Sequence, residues 1–387
     1  MRLAVLKERR PAETRVAATP ETVKKLIALG NEVTVEAGAG AGASITDAEF
    51  AAAGAQVAPD AAAALAGAQI VLKVAAPLGA GEGAVDELAL IPRGALVLCI
   101  ANAWGDTQRV QAYASLGLDV AAMELLPRIT RAQSMDVLSS QANLAGYRAV
   151  IEAAGTFARG FPMMMTAAGT VPPARVIVMG AGVAGLQSIA TARRLGAIVS
   201  ATDVRPAAKE EIKSLGATFV GVEDEEFAQA QTAGGYAKAM SAEYMRKQGE
   251  LVTATIPKND IVICTALTQG RAAPKLVSAE AVAAMKPGSV IVDIAADAGG
   301  NCALTRPGES FVTDNGVTIL GYRNWPGRIP VAASSLYARN LLTFLTNFWD
   351  KEAKAPKLPE DDEIAKGVLL TRGGAVVHPQ FQPAQAA

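Results

Sequence analysis

Three glycines at a fixed spacing are the residues whose chemistry is easiest to name. The run at 174–186, ARVIVMGAGVAGL, carries Gly180-Ala181-Gly182-Val183-Ala184-Gly185 from a β-rich stretch straight into a helical one. In such a turn the first glycine permits the tight bend, the second lets backbone approach a pyrophosphate, and the third lets helix and strand pack closely. The open N–H groups and the dipole at the helix start then favour phosphate. The next strand-like stretch, AIVSATD, ends at Asp203 and is followed by Val204 and Arg205. An acidic side chain at that distance accepts hydrogen bonds from the adenine ribose of a dinucleotide. It also repels a 2′-phosphate, which favours NAD(H) over NADP(H). Arg205 keeps the second choice open, because an arginine beside this position can take the 2′-phosphate. Farther on, DIVICTALT at 260–268 reads as a later strand of the same sheet. Ligands of open α/β sheets lie beyond the carboxyl ends of the strands, so Ala266 and Leu267 are expected to border the cofactor.

A second polar constellation precedes the glycines. The segment ELLPRITRAQSMDVLSSQANLAGYRA at 124–149 places Arg128, Arg131, Gln133, Asp136, Ser139, Ser140 and Gln141 in one loop between a strand and a helix. That density of directional hydrogen-bonding groups suits binding. Proton-transfer chemistry is poorly provided for. A dehydrogenase of hydroxy or amino acids needs a base such as His or Lys beside the reacting carbon, and the sole histidine is His378, in the tail. Lys7, Arg15 and Lys73 either hold a substrate carboxylate or are ordinary solvated charges. Cys99, Cys264 and Cys302 form no CxxC pair and show no metal spacing, as in reduced cytosolic proteins. The Gly-rich EVTVEAGAGAGAS near residue 40 lacks the third glycine at the right offset and reads as a loop.

These residues must be positioned by alternating strands and helices. RLAVLKE, EVTVEAG, QIVLKVAAP, ALVLCIAN and LDVAAMEL read as strands of a first sheet, with helices PETVKKLIALG and TDAEFAAAGA between them. Thr46 three residues before Glu49 is a capping-box pair. A long helix at 143–161 leads to the second α/β unit, and another at 334–349 leads away from it. We therefore expect two Rossmann-like, doubly wound parallel-sheet domains joined by two long helices. The first is discontinuous, 1–140 and 328–387, and ends in a hairpin at Gly373–Gly374; the second, 141–327, binds the nucleotide. A chain of 387 residues suits two cores. Its 36 basic and 37 acidic residues nearly cancel, which argues against a nucleic-acid or membrane-surface partner. No stretch has the length or uninterrupted apolar character of a membrane span, and the N-terminus does not read as a signal peptide.

RITRAQSMD, SSQANLAGYRAV, FPMMMTAAGTVPPARVIVMGAGVAGLQ, TAGGYAKAM and MKPGSVIVDIAADAGGNC together resemble the soluble NAD(H)-binding domain I of proton-translocating transhydrogenases. The likeness runs from KERRPAETRVAATPE to TRGGAVVHP, and that family resembles alanine dehydrogenase in fold. The alanine enzymes carry an active-site histidine after the strand matched by ALVLCIAN, where this chain has Cys99-Ile100-Ala101-Asn102. An NAD-dependent, alanine-type amino-acid dehydrogenase is thus the weaker alternative. The resemblance implies direct hydride transfer from NADH here to NADP⁺ on a separate domain III, coupled to proton movement by a membrane domain II. It implies a homodimer, peripheral on the cytoplasmic face of the membrane through its partners. It also implies that Arg128, Gln133, Asp136 and Ser139 surround the nicotinamide and its ribose, with Gln133 reaching towards the partner domain. A mobile loop at 223–248 would close on the nucleotide with Tyr236, assisted by Gly235 and Gln248.

Overall fold

The computed structural model describes residues 1–230, 240–268 and 270–382. The chain folds as two compact units, Met1–Gln141 with the segment from Gly327 onwards, and Ala142–Pro326.

The first unit is built on an eight-stranded sheet. Gln56–Ala58, Glu32–Glu36, Arg2–Val5, Ile70–Ala75, Leu96–Ile100 and Asp119–Ala122 lie side by side and parallel. Leu369–Arg372 and Ala375–Val376 extend the edge antiparallel. Numbered along the chain, the parallel strands follow the doubly wound order 3-2-1-4-5-6. Their near-continuous apolar sequences follow from burial on both faces. Leu3, Val5, Leu72 and Leu98 enter one core layer, whereas Ala4, Leu6, Val71 and Val97 enter the other.

The second unit repeats the plan on a seven-stranded sheet. Thr218–Phe219, Ile198–Thr202, Arg175–Met179, Ile261–Cys264, Val290–Asp293 and Thr318–Leu320 are parallel, again in the order 3-2-1-4-5-6, and Ser310–Val312 closes one edge antiparallel. Val176, Val178 and Ile263 face one layer and Ile177, Met179 and Val262 the other. The two long helices run from Val137 to Thr156 and from Pro330 to Asn347.

Local chemistry accounts for most element boundaries. Thr46 and Glu49 form the expected reciprocal capping box. Gly373 and Gly374, with φ of 59° and 85°, make the turn of the expected terminal hairpin. The first long helix begins at Val137 rather than at Asn143 because Asp136 caps it. Its Oδ1 accepts from the Ser139 amide at 2.9 Å and its Oδ2 from the Ser139 hydroxyl at 2.5 Å. Ser139, Ser140 and Gln141 therefore stand in the first helical turn and not in a loop. An unexpected hairpin, Met164–Thr166 with Gly169–Val171, is exposed along both strands. Among the described residues no helix is long and apolar enough to cross a membrane.

Candidate nucleotide-binding site

In the second unit the strand order reverses between Arg175–Met179 and Ile261–Cys264, and this is where a doubly wound sheet opens a crevice beyond its strand ends. The glycine turn follows the first of these strands. Gly180 has φ of 101°, a left-handed conformation that a side chain would strain. A Cβ on Gly185 would overlap the Gly180 carbonyl oxygen, so helix Val183–Arg194 can lie against its strand only with glycine there. Gly182 differs from both: a Cβ built on it meets nothing within 4 Å. It is exposed, it precedes the helix with no side-chain cap, and its neighbour Val183 is exposed too. Open N–H groups at a bare helix start, reached past a missing side chain, fit a pyrophosphate. By the same test the glycines near residue 40 are packing residues. A Cβ on Gly40 would lie 2.6 Å from the Ile45 carbonyl, and one on Gly42 would lie 2.5 Å from that of Thr14.

The second loop of the crevice bears Ala266 and Leu267. Leu267 is more than half exposed. Sequence reasoning missed the two side chains that fix this loop. The Thr265 hydroxyl donates to the Gly180 carbonyl at 2.9 Å and so ties the loops together. Asn301, fully buried, reads both sides of Ala266: its Oδ1 accepts from the Ala266 amide at 2.9 Å and its Nδ2 donates to the Ala266 carbonyl at 2.8 Å. The GGN turn at 299–301 hinted at this edge but not at the clamp.

Asp203 sits just beyond strand Ile198–Thr202. Its Oδ2 accepts from the Ala181 amide at 2.8 Å, which joins it to the glycine turn, and its Oδ1 accepts from the Arg205 amide at 2.8 Å. The Arg205 guanidinium lies on the same carboxylate, and that bond holds its pKa above the usual arginine value. Val204 is half-buried between them. Gln248 was expected in a mobile loop, yet it is buried in helix Ala242–Thr255. It donates to Thr202 Oγ1 at 2.9 Å and accepts from the Val222 amide at 2.9 Å, bracing the strand end that carries Asp203. Gly235 and Tyr236 lie outside the described residues, as does the centre of the expected loop.

Gln133 and Arg128 of the polar segment, in the first unit, are exposed, and Asp136 and Ser139 are half-buried. Gln133 stands in the 3-10 turn Thr130–Met135, immediately before the Asp136 cap. Arg131 pairs with Asp362 at 2.5 Å, and Gln141 accepts from Arg15 at 2.9 Å. The basic residues considered as carboxylate holders are mostly engaged. Lys73, 1% exposed, pairs with Glu87 at 2.9 Å and Glu8 at 3.5 Å. Arg9 bridges Glu87 and Glu36. Arg15 forks onto Glu13 at 2.8 and 2.6 Å. Lys7 is exposed. After strand Leu96–Ile100, the Glu124 carboxylate holds the amides of Ala101 and Ala103 at 3.0 and 3.2 Å, around Asn102 and not around an imidazole. His378 is buried in the tail, which lowers its pKa.

Two family models together span nearly the whole chain: the alanine dehydrogenase/PNT N-terminal domain over residues 4–145 and the corresponding C-terminal domain over residues 149–379. An NAD(P) transhydrogenase subunit alpha chain of Rhodospirillum rubrum is 56% identical over 379 residues, covering 98% of each chain. The chain belongs to the NAD(P) transhydrogenase alpha subunits of the alanine dehydrogenase/PNT family. The crystal structure of transhydrogenase from Sinorhizobium meliloti superposes with a TM-score of 0.87 at 52% identity, covering 97% of this chain and 100% of that one. An L-alanine dehydrogenase structure is more distant, with a TM-score of 0.79 at 26% identity over 98% of each chain. Within the family, then, the resemblance read from the sequence falls on the transhydrogenase branch.

Proposed function

We propose that the chain binds NAD(H) at the glycine turn of its second unit. We further propose that its hydride passes directly to NADP⁺ held on a separate NADP(H)-binding domain, domain III, with a membrane domain II coupling that transfer to proton movement. Gly182 carries the reading: an exposed, uncapped helix start with open space where a side chain would stand. Gly180, Ala181, Gly182, Val183, Ala184 and Gly185 receive the pyrophosphate, Asp203 receives the adenine ribose with Val204 and Arg205 flanking it, and Ala266 and Leu267 border the rest. Gly235 and Tyr236 contribute to closure over the nucleotide, and Gln248 braces the strand end that carries Asp203. Bound NADH supplies the hydride.

The chain's own task is then positioning. Transfer between two nicotinamides needs no acid or base, only near-attack placement and exclusion of water. Arg128, Gln133, Asp136 and Ser139 serve that placement. The Asp136 cap fixes the helix start beside Gln133, whose amide neither gains nor loses a proton near neutrality. The engagement of Lys73 and Arg15 by internal carboxylates, and the absence of an imidazole beside Asn102, favour this reading over an amino-acid dehydrogenase. The subunit would be a homodimer, held peripherally at the cytoplasmic face of the membrane by its partners.

Mixing the purified chain with NADH and NADP⁺, with and without an added NADP(H)-binding domain, tests the reading. NADPH should form only with that domain present, and NAD⁺ with alanine should give no NADH. NADH formation from alanine by the chain alone would overturn it.

A further inference from the structure

A carboxylate offers four in-plane acceptor positions, and in Asp203 all four are filled. Two are taken by backbone, the amides of Ala181 on Oδ2 and Arg205 on Oδ1, both at 2.8 Å. The other two are taken by the Arg205 side chain, Nε on Oδ1 and Nη2 on Oδ2, both at 3.0 Å. Nη2 also reaches the Ala181 carbonyl at 3.1 Å, so the guanidinium leans over the glycine turn itself. The two kinds of bond are not equally replaceable. The peptide donors are fixed by the turn and by the helix start at Pro206, whereas the Arg205 side chain keeps a quarter of its surface in solvent.

A guanidinium edge presents two parallel donors to a carboxylate. The two neighbouring hydroxyls of a ribose present the same pair. We propose, resting on the reading of this site as an NAD(H) site, that Arg205 is a resident substitute for the ribose diol. It occupies the face of Asp203 that the nucleotide needs, and binding is an exchange in which the side chain swings away. Arg205 thereby lowers the affinity for every diol-bearing nucleotide, because the competent state is only part of the population. It also masks the negative charge that would reject a 2′-phosphate, so it softens the discrimination between NADH and NADPH. Asp203 does not depend on this side chain for its position, since two peptide amides hold it.

The test is calorimetric titration of NADH and NADPH into the parent, Arg205→Ala and Arg205→Lys. Losing a partly exposed ion pair should tighten NADH by about three- to fivefold in Arg205→Ala. NADPH should bind no better, so the ratio of the two dissociation constants widens. Arg205→Lys keeps the charge without the fork, should fall between parent and Arg205→Ala, and remains informative if the alanine variant is unstable. Unchanged or weaker NADH binding in folded Arg205→Ala would overturn the exchange, because Arg205 would then be neutral or a direct contact. Asp203→Asn separates the two levels. If it binds NADH as well as the parent does, the site itself is misread; if it binds weakly while Arg205→Ala shows no gain, only the exchange fails.

Discussion

Gly185 packs so closely on Gly180 that a Cβ at 185 would overlap the carbonyl oxygen of 180, whereas the equivalent atom on Gly182 would stand in open space. One motif thus contains a residue that is glycine for packing and another that is glycine for access. Gly182 has φ of −71°, a value that alanine adopts without strain. Gly182→Ala should therefore melt within about a degree of the parent while losing at least tenfold in NADH affinity, since about 1.4 kcal/mol suffices for that. Gly185→Ala should lower the melting temperature as well, by forcing helix Val183–Arg194 off its strand. Thermal melts paired with NADH titrations check both, and equal melting losses in the two variants would contradict the distinction.

The ion-pair network around Lys73 is assigned to stability. Glu87 is fully buried and Glu8 nearly so, and burial pushes the Glu8 carboxyl up even against the attraction of Lys73. Lys73→Met leaves these carboxylates without their buried cation, and breaking such a pair from one side costs about 3–5 kcal/mol. Urea unfolding of the variant should show that loss, with NADH affinity unchanged because the nucleotide turn lies in the other unit. A stable Lys73→Met chain would return Lys73 to the candidates for ligand binding.

Glu21 gives a pH-dependent signature. Hydrogen bonds from Lys25 and then Arg339 lower its carboxyl from the ordinary value of 4.5 to about 2. The Arg339 bond joins helix Pro20–Ala28 to helix Pro330–Asn347, whereas the Lys25 bond lies within the first of these helices. A depressed folded-state pKa means stability that is complete above pH 4.5 and is lost as pH falls through about 2. The difference in urea midpoint between the parent and Glu21→Gln should therefore be constant from pH 7 to 5 and shrink below 4.5. A difference that persists unchanged at pH 2.5 would show that the carboxylate charge is not its source.

Gln133 separates affinity from chemistry. It is exposed, and it lies in the first unit, away from the glycine turn in the chain. Gln133→Asn shortens the side chain by one methylene, and a misplacement of about 1 Å can cost on the order of a hundredfold in rate. The NADH dissociation constant should stay within a few-fold, while single-turnover transfer to NADP⁺ slows at least tenfold. A parental rate in the folded variant would remove Gln133 from the positioning set.

The features legible in the sequence are those where backbone geometry dictates residue type. Only glycine fits positions 180 and 185, and alternating core layers make runs such as LVLCI and VIVM apolar throughout. What escaped were side chains whose partners are remote in sequence. Thr265 and Asn301 act on peptides 85 and 35 residues away, and Lys73 looks like an anomaly in an apolar strand until Glu8 and Glu87 are seen beside it. The early start at Val137 has a readable signal in Asp136, an aspartate three residues before a serine, but the alanine-rich stretch that follows carries the stronger helix signal.

In the proposed reaction hydride leaves this subunit directly for a second nicotinamide, with no proton relay in between. The most direct measurement uses NADH carrying deuterium at the transferable C4 position, in ordinary water, with the chain, NADP⁺ and an added NADP(H)-binding domain. Mass spectrometry of the NADPH formed should find the deuterium retained in full, because no side chain or solvent proton takes part in the transfer. Deuterium exchanged into water, or NADPH formed without the label, would rule out direct transfer.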